Sequence, residues 1–185
     1  MVFMEPESIG LDTCVDSWIT TLPPNFTKEM RDQIYDLTKK LVIPSIPFVI
    51  KKCGELVTST GNNLLQFFFQ MMDSALEPFV PMEGRTISED DIKALGKRLT
   101  SLSVFCWIWS CGATPASAQR EMFNQYYCDH MKHAGANIKP DGMALNANVY
   151  DYCFSVSGEQ AGQWVPWMQK FVPGRATYAS FVVFT

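Results

Sequence analysis

The sequence predicts a mainly α fold with a small β portion near its carboxyl end (α+β), and three observations carry that reading. Apolar residues recur at helical spacing in five successive stretches before Lys132. A turn-rich link with Gly135, Pro140 and Gly142 then interrupts the pattern. Beyond it "VYDYCFSV" alternates as a strand does. With 185 residues, 47% hydrophobic and 18% charged, the chain is long enough for one domain with a real core and far from the composition of disorder.

The elements follow in order. "MVFM" is a short strand stopped by Pro6. Ile9, Cys14, Val15, Trp18, Ile19 and Leu22 form one face of a first helix, which Pro23 and Pro24 end. Thr27 caps a second helix through Met30, Ile34, Leu37 and Leu41, until Pro44 and Pro47 break it. A third runs from about Asn63 to Leu76 with Leu64, Leu65, Phe67, Phe68, Met71, Met72 and Ala75 covering most of its circumference, so it is expected to be buried on several sides. Ser88 and Asp91 form a capping box and Ile87 with Ile92 a hydrophobic staple, opening a fourth helix that continues to Ile108 or Trp109. Thr114 followed by Pro115 is a cap and first-turn pair for a fifth, carrying Ala118, Met122, Phe123, Tyr126 and His130. After the link, Tyr150, Tyr152, Phe154 and Val156 face one side of a strand and Asp151, Cys153 and Ser155 the other. "QWVPWMQKFV" pairs back as an edge strand, where Pro166 is tolerated, and "SFVVF" is a terminal strand.

Composition excludes several function classes. A net charge of −4 with scattered cations offers no basic stripe for nucleic acid. Leu99 to Gln119 lacks any Asp, Glu, Lys, Arg or His, but its dense apolar part is shorter than the roughly 20 residues of a membrane span, so a buried helix is expected and no membrane contact. The first ten residues lack the basic head and long apolar run of a secretory signal, and the six cysteines form no CxxC pair, which reads as reduced thiols. A GxxxxGK loop, a GxGxxG fingerprint and a GxSxG elbow are missing. Cys128, His130 and His133 match no defensible zinc spacing; the histidines suit a helix carboxyl end, and Asp90 and Asp91 a helix start. No catalytic residue and no metal site is therefore expected.

Contact residues are the remaining candidates. Trp164 and Trp167, beside a loop and a proline, either anchor a partner or pack the hairpin. Met71 and Met72 among phenylalanines either line an adaptable partner groove or fill a core.

The order of motifs resembles dynein heavy chains of the axonemal type: "MVFMEPESIGLDTCVDSWITTLPP", then "SLSVFCWIWSCGA" with "QREMF", then "VYDY", "GQWVPW" and "YASFVVFT". The resemblance implies that residues 1–6 are the last strand of a large AAA+ subdomain, 7–134 the helical lid of the second AAA+ module, 135–148 a linker, and 149–185 the hairpin and strand that begin the third module. It further implies a non-catalytic piece of a microtubule-motor ATPase, whose lid closes over ATP or ADP with magnesium bound elsewhere in the parent protein. The implied partners are adjacent AAA+ modules, with microtubules and dynein light and intermediate chains through the parent, in the cytoskeleton of a cilium or flagellum axoneme. Trp18, Arg120, Trp164 and Trp167 are then candidates for contact between modules. The rival reading is an independent protein-binding module with an aromatic and Met-rich groove.

Overall fold

A computed structural model describes residues 10–55, 57–133, 148–156 and 161–170. The expected amino-terminal strand, most of the link and the terminal "SFVVF" strand lie outside the described residues. Seven helices and a two-stranded sheet are described: α1 (Leu11–Thr21), α2 (Lys28–Leu37), α3 (Ile43–Lys52), α4 (Gly61–Leu76), α5 (Glu89–Ser110), α6 (Arg120–His133), β1 (Tyr152–Phe154), β2 (Trp164–Pro166) and α7 (Trp167–Lys170). Mainly α with a small β portion is the architecture observed.

Side-chain caps open three of the seven described helices. The Thr27 hydroxyl accepts the Met30 amide at 3.3 Å to open α2, and Thr60 accepts Asn63 at 3.2 Å to open α4. At α5 the reciprocal box is complete: the Asp91 amide donates to Ser88 Oγ at 3.1 Å and the Ser88 amide to Asp91 Oδ2 at 3.3 Å.

The expected break at Pro44 and Pro47 does not occur. The chain stays helical from Lys28 to Lys52 by widening into a π-helical turn over Thr38–Val42, where the Ile43 amide reaches back to the Thr38 carbonyl. Pro44 then falls in the first turn of α3, where its missing N–H costs little, and the Ser45 hydroxyl donates to the Val42 carbonyl at 2.7 Å. Thr114 likewise does not cap α6. Its hydroxyl donates back to the Cys111 carbonyl at 3.2 Å, closing the end of α5, while Pro115 bridges to Glu55 in extended conformation. The chain re-enters helix through a 3-10 turn at Ser117–Gln119.

The core centres on α5. α4 and α2 flank it, and the hairpin closes a further side. Leu95, Leu99, Leu102, Val104, Cys106, Trp107 and Ile108 are buried on it, joined by Phe68, Leu65 and Met72 of α4 and Phe123 of α6. The Trp107 indole donates to Ser45 Oγ at 2.8 Å, tying α5 to the start of α3. α4 is not buried all round: Phe67 is 44% exposed and Met71 and Ala75 half-buried, because Gln66, Gln70, Asp73 and Ser74 turn the outer side to solvent.

β1 and β2 pair antiparallel with Tyr152 opposite Pro166, so the proline sits where the sequence reading put it. Cys153 and Ser155, expected on a polar face, are buried along with Phe154, so this strand is covered on both sides.

Candidate functional site

Two of the tryptophans singled out in the sequence, Trp164 and Trp167, meet one face of α5. Phe105 packs edge-on to Trp164 with ring centroids 6.1 Å apart. One turn further on, Trp109 packs edge-on to Trp167 at 5.8 Å and to Tyr150 at 6.0 Å. Tyr150 is fixed from several directions: its hydroxyl donates to the Gly112 carbonyl at 2.5 Å, its ring meets Phe123 at 6.3 Å, and the Arg120 guanidinium lies 5.3 Å above it. Burial pushes the Tyr150 phenol well above the usual range, with the Arg120 charge opposing. The hydroxyl therefore stays a donor at neutral pH.

The four contact candidates divide. Trp18 is 7% exposed, stacked on Phe69 at 4.4 Å with its indole donating to Asp73 Oδ1 at 3.0 Å, so it bolts α1 to α4. Trp164 is also buried, between Phe105 and Phe154. Trp167 is 39% exposed beside Met168, and Arg120 is exposed above Tyr150. Only these last two present substantial surface beyond the chain's own core.

Of the methionines, Met72 is buried, whereas Met71 lines a shallow groove of about 510 Å³ with Phe67, Gln70, Ser74, Ala75 and Phe105. His130 stacks on Tyr126 at 3.9 Å, with Nδ1 3.1 Å from the Tyr126 carbonyl oxygen. Among the described residues no group of three or more His, Cys, Asp or Glu is placed to hold a metal, and no helix is long and apolar enough to cross a membrane. None of the six cysteines is in a disulfide. Burial lifts Cys106 to about 12 and Cys111 to about 11, which keeps both protonated and unreactive at neutral pH.

Three fixing residues escaped the sequence reading. Arg31 donates to the carbonyls of Ile19, Leu22, Pro23 and Phe26, closing the carboxyl end of α1 and the Pro23–Pro24 turn. Gly112 leaves room for the Phe123 ring, since a Cβ there would lie 2.5 Å from it. Gly162, with φ of +87°, turns the hairpin under Arg98, whose Nε would be 2.6 Å from an added Cβ. A Gly next to a strand was the available signal for the last; nothing in the sequence marks which carbonyls an arginine will meet.

The family model described as dynein heavy chain AAA lid domain matches residues 34–169, from within α2 through the hairpin to α7. The chain belongs to the dynein heavy chain family. Dynein axonemal heavy chain 1 of Mus musculus is 27% identical over 187 residues, covering 94% of this chain and 4% of that protein. Its Rattus norvegicus counterpart is 32% identical over 127 residues, 68% of this chain and 3% of that protein, and dynein axonemal heavy chain 3 of Homo sapiens is 25% identical over 187 residues, 91% and 4%. The chain thus spans about 4% of the length of the mouse relative it matches. The match to a dynein AAA lid takes in α3 to α7, and the aromatic face of α5 is part of the matched stretch.

Proposed function

We propose that this lid belongs to the second AAA+ module of an axonemal dynein heavy chain, with residues 149–185 beginning the third module. In this reading it closes as a rigid body over ATP or ADP held with magnesium by the preceding large subdomain, and passes the movement on for minus-end-directed travel along microtubules. The chain contributes no phosphate loop, so its part is a covering and transmitting surface, while hydrolysis belongs to the parent motor. Adjacent modules of the same heavy chain are the direct partners, met through Arg120 and Trp167. Microtubules and light or intermediate chains are reached through the parent, in the axoneme of a cilium or flagellum.

One observation carries the reading: the match to a dynein lid over residues 34–169 falls on a single apolar core that runs unbroken from Val15 in α1 to Trp164 in β2. Close packing makes such a unit stiff, and a lid must be stiff to turn differential contact with nucleotide states into displacement of a neighbour.

An antibody raised against Gly135–Asn148 tests it on whole-cell and ciliary extracts. A ciliary band of several hundred kilodaltons is expected; a band only near 20.9 kDa overturns the reading. The latter result favours a free-standing binding module, for which the exposed Phe67 beside Met71 is the observation.

A further inference from the structure

We propose that the β1–β2 hairpin is the element through which the lid delivers its motion, and that Arg98, Phe105 and Trp109 are the positioning residues that fix it to α5. The inference rests on the lid reading above and names the contact that reading leaves open.

Three contacts occur in matching order along both partners. Arg98 meets Gly162, Phe105 meets Trp164, and Trp109 meets Trp167. Residues 98, 105 and 109 are spaced by seven and four, so they share one helix face and extend along roughly 16 Å of axis at the 1.5 Å helical rise. From Gly162 to Trp167 five steps of mostly extended chain cover about the same distance. One contact would leave the hairpin free to swivel and two would leave a hinge axis. Three along one line, with a fourth off it, fix both position and rotation. The fourth is Tyr150, held by the Gly112 carbonyl, beside Val149, whose amide donates to Asn124 Oδ1 at 3.0 Å.

The seam is held by shape. Trp109 and Trp164 each bury an indole N–H with no hydrogen-bond partner among the described residues, so ring packing is what the described seam offers to keep them in register. At the turn the fit is just as close, because any side chain at Gly162 would meet both the positive φ and the Arg98 guanidinium. α5 touches α2 and α4 on one side and the hairpin on another, so displacement of those helices reaches the hairpin along the α5 rod.

Hydrogen exchange on this chain tests the coupling independently of any motor. The Cys153 and Val165 amides, opposite each other in the ladder, are expected to open together with those of Leu102–Ile108, and Trp109→Ala to speed hairpin exchange by about tenfold or more while the centre of α5 keeps its protection. Trp109→Phe is expected to restore most of it. Hairpin amides exchanging freely in the unaltered chain overturn the inference. If Trp109→Ala fails to fold, Gly162→Ala supplies the same test from the opposite end. In a heavy chain motor carrying this lid, Trp109→Ala is expected to slow microtubule gliding severalfold with nucleotide affinity unchanged, and Trp109→Phe to rescue it. Unchanged gliding overturns the hairpin assignment and leaves the lid reading standing. A lid that shows no nucleotide-dependent displacement in the unaltered motor counts against the lid reading itself.

Discussion

Removing the Arg31 guanidinium should cost far more than a half-exposed arginine usually does. Nη2 donates to the carbonyls of Leu22 at 2.9 Å and Pro23 at 2.6 Å, Nη1 to Ile19 at 3.2 Å and Nε to Phe26 at 3.4 Å. Two of these carbonyls sit at the end of α1, where the helix leaves acceptors unsatisfied and favours a cation. Hydrogen bonds to a charged group are worth about 1.5–3 kcal/mol each, but the two long ones are weak and water reaches part of the site. Arg31→Ala is therefore expected to destabilise the chain by about 2–4 kcal/mol, a fall in Tm of about 5–10 °C at this size. Arg31→Lys, with one ammonium for four acceptors, should recover about half. Urea unfolding followed by tryptophan fluorescence measures both, and hydrogen exchange at Leu22 and Phe26 locates the loss. A change below about 0.5 kcal/mol for Arg31→Ala would show that water serves these carbonyls equally well, and would refute the reasoning.

Other perturbations test the packing directly. Gly112→Ala puts a methyl within 2.5 Å of the Phe123 ring and is expected to cost about 1–3 kcal/mol in chemical denaturation, with Phe123→Leu relieving much of it in the double variant. Trp107→Phe removes the donor to Ser45 Oγ and opens a void where the ring was fully buried; a loss of about 2–4 kcal/mol is expected, and a double-mutant cycle with Ser45→Ala should give nonzero coupling. Stability should fall as pH rises above 9. Burial raises the Cys106 and Cys111 thiols to about 12 and about 11, so the unfolded chain releases their protons first, and binds fewer of them than the folded chain throughout that window. Their contribution is full below the ordinary thiol value and lost as pH climbs through the folded values. Denaturation midpoints at pH 8, 9 and 10 check the sign; a midpoint that rises with pH contradicts it.

What was legible in the sequence is what chemistry within a few residues decides. The Ser88 and Asp91 box, the Thr27 cap and the edge position of Pro166 depend on side chains acting on their own neighbours, and each stands as read. The proline break failed because a π-helical turn places Pro44 in the first turn of α3, and a distant group then holds that start. Trp107 and Ser45 are 62 residues apart, and their hydrogen bond anchors the start of α3 just beyond the π-helical turn that accommodates Pro44. Arg31 and Arg98 were invisible for the same reason, since their partners are carbonyls and a backbone turn delivered by the folded chain. Spacing grouped Trp164 with Trp167, yet only the structure separates the buried one from the half-exposed one, because the chain changes from strand to helix between them.

The uncharged run from Leu99 to Gln119 shows how far composition reaches. Six charged residues, Glu89, Asp90, Asp91, Lys93, Lys97 and Arg98, occupy the first half of α5, so the helix that contains most of the run has no span-length apolar window. Lipid would accept an apolar surface of any shape. This run instead needs Leu65, Phe68 and Met72 from α4, the hairpin's Trp164, and Phe123 and Tyr127 of α6 against the Trp107 ring. Its small polar residues fit the same account: Ser110 is buried with its hydroxyl donating to the Trp107 carbonyl at 3.2 Å, a bond made within the helix. Burial by successive partners on different sides lets a helix carry two tryptophans two residues apart, Trp107 facing α6 and Trp109 facing Tyr150 and the half-exposed Trp167, and so joins the core to the surface.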